Sequence, residues 1–325
     1  MALAKIVAVG AFAVPLFLFG CTTLRPLGTV TTDAGGGTGG TGPTGAAGAG
    51  GIGTGGMVDA GMEGGAGDAP IQVLVWNNAL TWGHAARALA IPYLEARELT
   101  DNIRFDTTYA HTGSNYQDGP TDAVFDASVF TDQGLEKYDV VMFLNTTGNT
   151  IDDDMKSVRR QALQDFIEKK ARGFVGVHSA TDTYQLKDAT DPWPWYVDFI
   201  GANYASHTIY GTPGVAQYFQ NMTHPILNAA GIPTAWSRSE EWFVFTRDPL
   251  FSPIPGVKML LTCHDQINAT ERPSAWVHEM PPPQTSASRG GRMFYTAFGH
   301  FTSAFEEPLV MDLIIAGIKW SAGRL

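Results

Sequence analysis

The chain is poor in cysteine, which limits the covalent chemistry open to it. Only Cys21 and Cys263 occur among its 325 residues. Cys263 lies in the stretch Leu-Leu-Thr-Cys-His-Asp, which lacks the flanking glycines of a strand-to-helix nucleophile elbow. We therefore interpret Cys263 as a small buried side chain and not as the nucleophile of a thiol hydrolase.

Other familiar signatures of catalysis and binding are also missing. No G-x-G-x-x-G motif and no P-loop lysine opens a helix, so the sequence does not indicate nucleotide binding. Ser179 lacks the G-x-S-x-G context, which argues against a serine hydrolase. Basic charge is scarce, because 21 Lys and Arg stand against 32 Asp and Glu and give a formal net charge of -11. This balance disfavours nucleic acids and anionic lipid surfaces as partners.

The N-terminal apolar run, residues 6–20, is shorter than the roughly 20 residues that a bilayer-spanning helix needs. A lysine precedes it and a proline interrupts it, which predicts a secretory signal over residues 1–21. The last four of these residues, Leu-Phe-Gly-Cys, resemble a bacterial lipobox, although Phe19 replaces the usual small residue. We expect lipidation of Cys21, which would leave no pair of thiols for a disulfide. The alternative is an ordinary signal peptide with an incidental cysteine.

Residues 22–69 are rich in glycine and poor in large apolar side chains. Seventeen of the 37 glycines of the chain lie between Gly35 and Gly67. Such a segment cannot bury enough apolar surface to offset its ordering entropy, so we predict a disordered tether. Together with a lipidated Cys21, the tether indicates an exported lipoprotein whose domain is held off a membrane. By resemblance to bacterial lipoproteins, Thr22 after the cysteine favours the outer membrane, with the domain facing the periplasm as the other possibility.

Residues 70–325 are long enough for a single α/β domain. Continuous apolar runs alternate with helical patterns in its first half, which predicts βαβ units and a parallel sheet with helices on both faces. The predicted strands are 71–76, 103–110, 139–148 and 173–177. The predicted helices are 85–99, a short helix capped by Thr131, and 152–171. In the last of these helices, the expected core residues are Val158, Leu163, Phe166 and Ile167. The less regular second half predicts strands at 256–263, 274–280 and 291–300 and a helix at 307–320.

Histidines recur at the ends of the predicted strands. Five of the eight lie there, namely His84, His178, His264, His278 and His300. His178 directly follows the buried strand 173–177, and ligands of parallel sheets bind just past such strand ends. Asp182 follows one turn later. An imidazole with an ordinary pKa near 6.5 suits proton transfer at neutral pH.

A series of motifs identifies a family that the domain resembles. VVMFLNTTG, GFVGVHSATDT, WPWYVDFIGANYASH, SEEWFVF, PSAWVHE and GRMFYTAFGH occur in an order similar to that of the ThuA-like (trehalose utilisation) family. The resemblance runs from about Val73 to Gly323. It implies a class I glutamine amidotransferase-like fold, a flavodoxin-like parallel sheet in one globular domain, with His178 where the amidotransferases have their nucleophile. Glu240 and Phe243 depart from the Asp and Tyr that are common in the family.

The resemblance also implies a class of substrate. Family members are associated with disaccharides such as trehalose and with oxidised 3-keto sugars. We therefore expect a sugar or keto-sugar derivative as partner and, if the chain is an enzyme, an isomerase, lyase or hydrolase that uses histidine and carboxylate acid–base chemistry. The alternative is a non-catalytic carbohydrate-binding lipoprotein, which would tolerate His178→Ala with only weakened affinity. The sequence does not indicate an oligomeric state.

We expect the candidate catalytic residues to converge on one pocket, with Asp182 orienting the ring of His178; they are His178, Asp182, Glu241 and His300. His84 and His207 are expected at the margin of this pocket and Trp242 along its wall. A glycosidase would instead use Asp182 and Glu241 as a pair of carboxylates. The candidate substrate-binding residues are polar or aromatic and lie in the same motifs or loops; they are His84, Asn145, Trp193, His207, Trp242 and His278. A divalent metal of the zinc type is a further hypothesis, with His178, His207, Glu241 and His300 as candidate ligands.

Overall fold

A computed structural model of the chain describes residues 69–107, 119–120, 126–186, 191–251, 254–282 and 289–325. The predicted signal segment, the predicted lipidation site at Cys21 and the predicted tether up to residue 68 lie outside these residues, and they stay predictions. In the described part of the chain, no helix combines the length and the apolar character needed to cross a membrane.

The described residues include thirteen β-strands, nine of which form one sheet. The strands are β1 (Ile71–Trp76), β2 (Trp82–Gly83), β3 (Ile103–Asp106), β4 (Gly119–Pro120), β5 (Val140–Leu144), β6 (Gly173–Val177), β7 (Asn203–His207), β8 (Thr212–Tyr218), β9 (Ala235–Glu240), β10 (Phe243–Arg247), β11 (Val257–Asp265), β12 (Thr270–Glu279) and β13 (Arg292–Thr296). The order in the large sheet is β3-β1-β5-β6-β13-β12-β11-β8-β9. Two small sheets pair β10 with β7 and β2 with β4.

The first five strands of the large sheet are parallel. β3 pairs with β1, β1 with β5, β5 with β6, and β6 with β13, each in the same direction. Numbered by their order along the chain, these strands stand as 2-1-3-4-5, which is the flavodoxin-like order. All residues of β5 and β6 are buried, which explains their uninterrupted apolar sequences. The predicted parallel sheet is therefore confirmed for this half.

The other four strands extend the sheet in antiparallel fashion. β12 runs antiparallel to β13, β11 to β12, β8 to β11, and β9 to β8. The sheet is thus mixed, which the sequence analysis did not anticipate. Because β12 runs against β13, its carboxyl end lies at the opposite edge of the sheet from the carboxyl ends of β6 and β13. This reversal separates side chains that follow strand ends in the sequence.

The helices of the described residues are mostly short. The predicted helix at 85–99 is divided into three, with Pro92 in the first turn of the second. Thr131 accepts a hydrogen bond from the backbone N–H of Gly134, as expected of an N-cap. The helices are α1 (Ala86–Leu89), α2 (Ile91–Glu95), α3 (Glu98–Asp101), α4 (Asp132–Leu135), α5 (Lys156–Glu168), α6 (Pro194–Ile200), α7 (Pro225–Ala229), α8 (Ser303–Glu306) and α9 (Pro308–Ser321).

Each face of the large sheet has its own hydrophobic core. Successive residues of a strand point to opposite faces, so Val73 of β1 joins one core and Leu74 the other. The first core contains residues of α1, α2, α7, α8 and α9. The second contains residues of α4, α5 and α6. Helices therefore cover both faces, as predicted.

Helix α5 corrects one predicted core position. Leu163, Phe166 and Ile167 are buried as expected, whereas Val158 is 46 % exposed. At 3.6 residues per turn, Val158 points about 140° away from Leu163 and about 180° away from Ile167. Its side chain therefore faces solvent.

Candidate functional site

His178 stands at a sharp turn of the backbone at the carboxyl end of β6. It follows the last residue of the strand and begins a 3-10 turn, His178–Asp182. Its φ of +50° lies in the left-handed region, which is uncommon for residues with a Cβ atom. The hydroxyl of Tyr295 donates to the backbone carbonyl of His178 at 2.6 Å, and the imidazole is fully buried. The turn has the strand-to-helix character of a nucleophile elbow, with an imidazole in place of a nucleophile.

Three further side chains meet the imidazole of His178. Oε2 of Glu241, which lies between β9 and β10, is 3.0 Å from Nε2 of His178. The same oxygen is 3.2 Å from Nδ1 of His300 and 3.9 Å from Nε2 of His84. All four side chains are buried. The structure thus brings His178, Glu241 and His300 together, and it adds His84, which was expected only at the margin. We call these four residues the histidine–glutamate cluster.

The charge of Glu241 follows from its neighbours. Burial by itself would raise the pKa of this carboxyl. The hydrogen bonds and charges contributed by His178 and His300 outweigh burial and hold the pKa of Glu241 well below its ordinary value. Glu241 is therefore an ionised carboxylate surrounded by imidazoles.

The second oxygen of Glu241 faces a more exposed histidine. Nδ1 of His207 lies 2.9 Å from Oε1 of Glu241 and 2.8 Å from the backbone carbonyl of Thr208. Both oxygens are acceptors, so Nδ1 carries the hydrogen of this ring. The side chain of His207 is 38 % exposed. It lies at the margin of the pocket, where the sequence analysis placed it.

A backbone carbonyl orients the ring of His178. Nδ1 of His178 is 2.9 Å from the carbonyl oxygen of Ala297. Because a carbonyl only accepts, Nδ1 carries the hydrogen and Nε2 faces Glu241. The expected role of Asp182 in fixing this tautomer is therefore taken by Ala297. Asp182 is half-buried and lines the adjacent cavity.

A cavity of about 140 Å³ opens over the histidine–glutamate cluster. The ring of Phe243 lies 4.4 Å from that of His178, and the ring of Tyr210 lies 4.7 Å from that of His300. Phe243, one of the departures from the family pattern, therefore does face the pocket. The lining residues are Trp82, His84, Ser179, Asp182, Tyr204, His207, Tyr210, Glu241 and Phe243.

Three aromatic residues of this lining were not among the candidates predicted from the sequence. Trp82 precedes His84 by two positions, and Tyr204 and Tyr210 flank His207 at three positions on either side. Proximity in sequence to a candidate histidine was the signal that was available for all three. Trp193 and Trp242 were chosen instead, because they lie near the candidate carboxylates in the sequence.

Asn145 and Glu240 support the segment that carries His300. The side-chain amide of Asn145 donates to the carbonyl of Gly299 at 2.9 Å. A carboxylate oxygen of Glu240 accepts from the backbone N–H of Gly299 at 3.1 Å and from Arg238 at 2.8 Å. Asn145 is fully buried and is not among the residues that line the cavity. Its predicted contact with substrate is therefore replaced by a contact with the backbone next to His300.

Trp193 and Trp242 pack in the hydrophobic cores and not along the cavity. Trp242 is fully buried, and its indole N–H donates to the carbonyl of Thr212 at 2.9 Å. Trp193 is 7 % exposed and packs edge-on against Tyr184, with the guanidinium of Arg160 over its ring. The structure does not bring these two tryptophans to the cavity, because their large apolar surfaces are already covered by the protein.

His278 lies away from the other candidate histidines. Its Nδ1 donates to the carbonyl of Phe199 at 2.8 Å, and burial lowers its pKa. In the antiparallel pair it stands opposite Met293, near the start of β13, whereas His300 follows the end of β13. The reversed direction of β12 thus places His278 at the other edge of the sheet, away from the cavity to which it was expected to contribute.

The fold and the site together define a class of protein. The parallel half has the flavodoxin-like strand order, and the polar cluster lies just beyond the carboxyl ends of its strands, where α/β proteins of this kind place their ligands. The chain belongs to the ThuA family, described as trehalose utilisation, which matches residues 72–321. The family and fold implied by the sequence motifs are thereby confirmed.

Two solved structures are similar to this chain. One is a putative ThuA-like protein from Bacteroides uniformis ATCC 8492, with a TM-score of 0.55 and 20 % identity over 79 % of this chain and 95 % of that chain. The other is the glutaminase domain of CTPS from Trypanosoma brucei with bound acivicin, with a TM-score of 0.42 and 11 % identity over 77 % of this chain and 94 % of that chain. A comparison with curated proteins finds no match. At this level of identity, the Bacteroides structure shows a shared fold and nothing finer.

Proposed function

We propose that this chain binds a sugar or keto-sugar derivative in the cavity over the histidine–glutamate cluster and transforms it by proton transfer. One observation carries the proposal. An ionised carboxylate, Glu241, joins the buried cluster to His207 at the margin of a cavity that has both polar and aromatic walls. Membership of the ThuA family supports a sugar as the class of ligand.

The lining of the cavity has the chemistry that sugars require. Hydroxyl groups bind carboxylates, imidazoles and other hydroxyls, and Asp182, His207 and Tyr204 offer all three. Burial, followed by the charges of Asp182 and Glu241, raises the pKa of Tyr204, so its hydroxyl stays a neutral donor. Trp82 and Tyr210 are 41 % and 47 % exposed at the rim, where an aromatic face is available to the apolar side of a sugar ring.

The size of the cavity limits how much of a sugar it holds. Pockets for drug-sized ligands measure about 300–1,000 Å³, whereas this cavity measures about 140 Å³. We infer that one sugar ring enters and that the remainder of a disaccharide extends past Trp82 and Tyr210.

The position of His207 favours it as the base. Its Nδ1 hydrogen points to Thr208 and Glu241, which leaves the lone pair of Nε2 to accept a proton. His178 does not line the cavity, and both of its ring nitrogens contact other protein groups. The candidate base therefore changes from His178 to His207. The carboxylate of Glu241 beside Nδ1 stabilises the imidazolium that forms, as in other carboxylate–histidine pairs.

The proposed step acts on a carbon next to a keto group. A proton leaves this carbon for Nε2 of His207, and the electron pair moves into an enediolate. Where this carbon carries a hydroxyl group, return of the proton to the former keto carbon, with transfer of the hydroxyl proton to the former keto oxygen, gives isomerisation. Loss of a substituent from the next carbon, which takes the proton held by His207 as it leaves, gives elimination. A glycosidase is less well supported, because both oxygens of Glu241 are held by imidazoles and its pKa is lowered, so it does not carry the proton of a general acid.

Calorimetric titration of the full-length chain with trehalose, glucose and a 3-keto glucoside tests the proposal. We expect saturable binding of at least one sugar, weakened at least tenfold by Trp82→Ala or Asp182→Asn. Phe251→Ala and Asp154→Asn are matched controls, because both residues are exposed and neither lines the cavity. Sugar-independent heats in every titration would contradict the proposal. Binding without any turnover, followed by NMR, would support the carbohydrate-binding alternative.

A further inference from the structure

We propose that His84, His178, Glu241 and His300 together bind one divalent transition-metal ion of the zinc type. The ion would lie at the floor of the same cavity. Its contact with a sugar there rests on the proposed function. Each of the four buried side chains offers one ligand atom, and these atoms lie within 4.8 Å of one another. In the part of the chain that the structure describes, this is the one such group of His, Cys, Asp and Glu side chains.

Three of the ligand atoms lie within about 0.3 Å of the spacing of a tetrahedral site. Zinc binds histidine nitrogens and carboxylate oxygens at about 2.0–2.2 Å, so neighbouring ligand atoms of a tetrahedron are about 3.3–3.6 Å apart. Nε2 of His178, Nδ1 of His300 and Oε2 of Glu241 form a triangle with sides of 3.3, 3.2 and 3.0 Å. Nε2 of His84, 3.9 Å from the same oxygen, is the fourth ligand atom.

Two of the imidazoles are oriented as metal ligands usually are. A histidine that binds a metal through one nitrogen normally donates the N–H of the other to an oxygen of the protein. Nδ1 of His178 is 2.9 Å from the carbonyl of Ala297, and Nδ1 of His84 is 3.3 Å from the hydroxyl of Ser179. In His178 the carbonyl only accepts, so the lone pair of Nε2 is directed to the interior of the cluster. In His84 the hydroxyl of Ser179 is able to accept the Nδ1 hydrogen, and Nε2 faces Glu241.

The geometry changes the set of ligands that the sequence suggested. His207 was a candidate, but its Nδ1 hydrogen is shared between two acceptors, the Thr208 carbonyl and Oε1 of Glu241. That nitrogen has no lone pair to offer the ion. His207 instead holds the outer oxygen of Glu241, which leaves Oε2 to bind the ion, and His84 takes the fourth position.

A competing description needs no ion. Nε2 of His178 and Oε2 of Glu241 are 3.0 Å apart, and with a lone pair on each they would repel. Either a proton or a cation between them removes the repulsion. A proton gives a buried imidazolium–carboxylate pair, and a metal ion satisfies all four ligand atoms at once. As neutral tautomers, His84 and His300 can each donate their own N–H to this oxygen, so only His178 needs an added proton. The ion is favoured because four candidate ligand atoms lie within 4.8 Å of one another, a clustering that hydrogen bonding alone does not require.

An ion in this position would act on the proposed substrate. His84 and Glu241 form part of the cavity lining, whereas His178 and His300 lie behind them. A keto oxygen or a pair of neighbouring hydroxyls in the cavity would therefore approach the ion from the open side. Zinc ions accept such a fifth ligand and polarise a carbonyl, which would make the proton on the adjacent carbon more acidic for His207.

Metal binding by the full-length chain tests this inference directly. Protein stripped with a chelator is dialysed against Zn²⁺ or Co²⁺, and bound metal is measured by mass spectrometry and by the visible spectrum of bound Co²⁺. We expect one ion per chain and a Co²⁺ spectrum of the tetrahedral or five-coordinate type. Glu241→Gln and His84→Ala should each lower the affinity for Zn²⁺ at least tenfold. Far-ultraviolet circular dichroism checks that both variants remain folded.

Another histidine variant makes the test selective. His264→Ala should keep the single ion, because His264 is not one of the four ligands and pairs with Glu271 at the surface. Absence of a bound ion in the parent chain, or an equal loss in His264→Ala, would overturn the inference. Sugar binding by metal-free protein at unchanged affinity would also overturn it while leaving the proposed function intact. Metal binding without sugar binding would contradict only the proposed function.

Discussion

Asn145 and His178 occupy equivalent positions on two adjacent parallel strands. Each residue directly follows its strand, and their φ angles are +51° and +50°. The backbone N–H of Asn145 donates to the carbonyl of Val177 at 3.2 Å. Both side chains then bind the segment that leads to His300, Asn145 through Gly299 and His178 through Ala297. Two left-handed turns thus fix the position of a third site residue.

Two substitutions of Asn145 separate the contribution of its side-chain hydrogen bond to stability from that of its left-handed backbone conformation. Asn145→Gly should destabilise the chain by about 1–2 kcal/mol, because the buried hydrogen bond to Gly299 is lost. Asn145→Ala should be less stable than Asn145→Gly by about 1 kcal/mol. Alanine loses less backbone entropy than glycine when the chain folds, but its steric strain in the left-handed region is larger than this advantage. Urea unfolding of both variants measures these differences. Equal stability of the two would show that the backbone relaxes out of the left-handed conformation.

Turnover should depend on His207 more strongly than binding does. His207→Gln keeps a polar side chain but removes the base, so kcat should fall by about 10²–10⁴-fold while KM changes little. His264→Gln is the matched control, since His264 is also a partly exposed histidine paired with a glutamate. Kinetics on whichever keto sugar binds in the calorimetric titration would measure both variants. A parallel loss in the His264 variant, or a change in KM alone, would argue against His207 as the base.

Stability in mild acid should depend on His224. Its Nδ1 accepts from the backbone N–H of Ile226 at 3.3 Å at the start of α7. Burial, followed by the positive charges of Lys258 and Arg292, lowers the pKa of His224 from 6.5 to about 4. Between these two values the unfolded chain binds a proton that the folded chain does not, so stability falls as the pH drops through this window.

The size of the acid effect is limited because His224 is only partly buried. We expect a loss of about 1–2 kcal/mol from this residue across the window, after allowance for solvent screening. His224→Asn keeps an N-cap side chain that does not titrate. Urea midpoints at pH values above and below the window should therefore differ less in the variant than in the parent chain. An identical pH dependence of the two would assign the acid sensitivity to other groups.

Export and anchoring are tested at Cys21. If this cysteine carries lipid, a labelled fatty-acid analogue should be incorporated into the parent chain and lost in Cys21→Ser. Cys263→Ser is the matched control, because Cys263 is buried in the folded domain and should not affect labelling. Label that persists in Cys21→Ser would contradict lipidation at this position.

The parallel half of the fold was predictable because its strands are buried on both faces. Such strands appear in the sequence as uninterrupted apolar runs, and the first polar residue after each run lies at the carboxyl edge of the sheet. This reasoning located His178 correctly, and His300 also lies near the end of a predicted strand. The family motifs added Glu241, which reaches the same place from a part of the chain with weaker periodicity.

The remaining errors concern direction and register. His278 follows a strand as His178 does, but the direction of a strand is set by its hydrogen-bonded neighbour and not by its own residues. Trp242 adjoins Glu241, and neighbouring residues of an extended chain point to opposite sides. Of two adjacent residues, one side chain can therefore face the cavity while the other packs in the core. A tryptophan is suited to both environments, so composition alone did not distinguish Trp82 from Trp193.

The contacts that assemble the cluster join distant parts of the chain. His178 and Glu241 are 63 residues apart, His178 and Ala297 are 119 apart, and Asn145 and Gly299 are 154 apart. Contacts of such range form slowly, because the entropy of closing long loops is lost before the contacts are made. No short fragment contains the whole cluster, so a cleaved or half-folded chain has no site to offer. Occupancy of the cavity by a ligand would accordingly report that the last long-range pairings of this domain have formed.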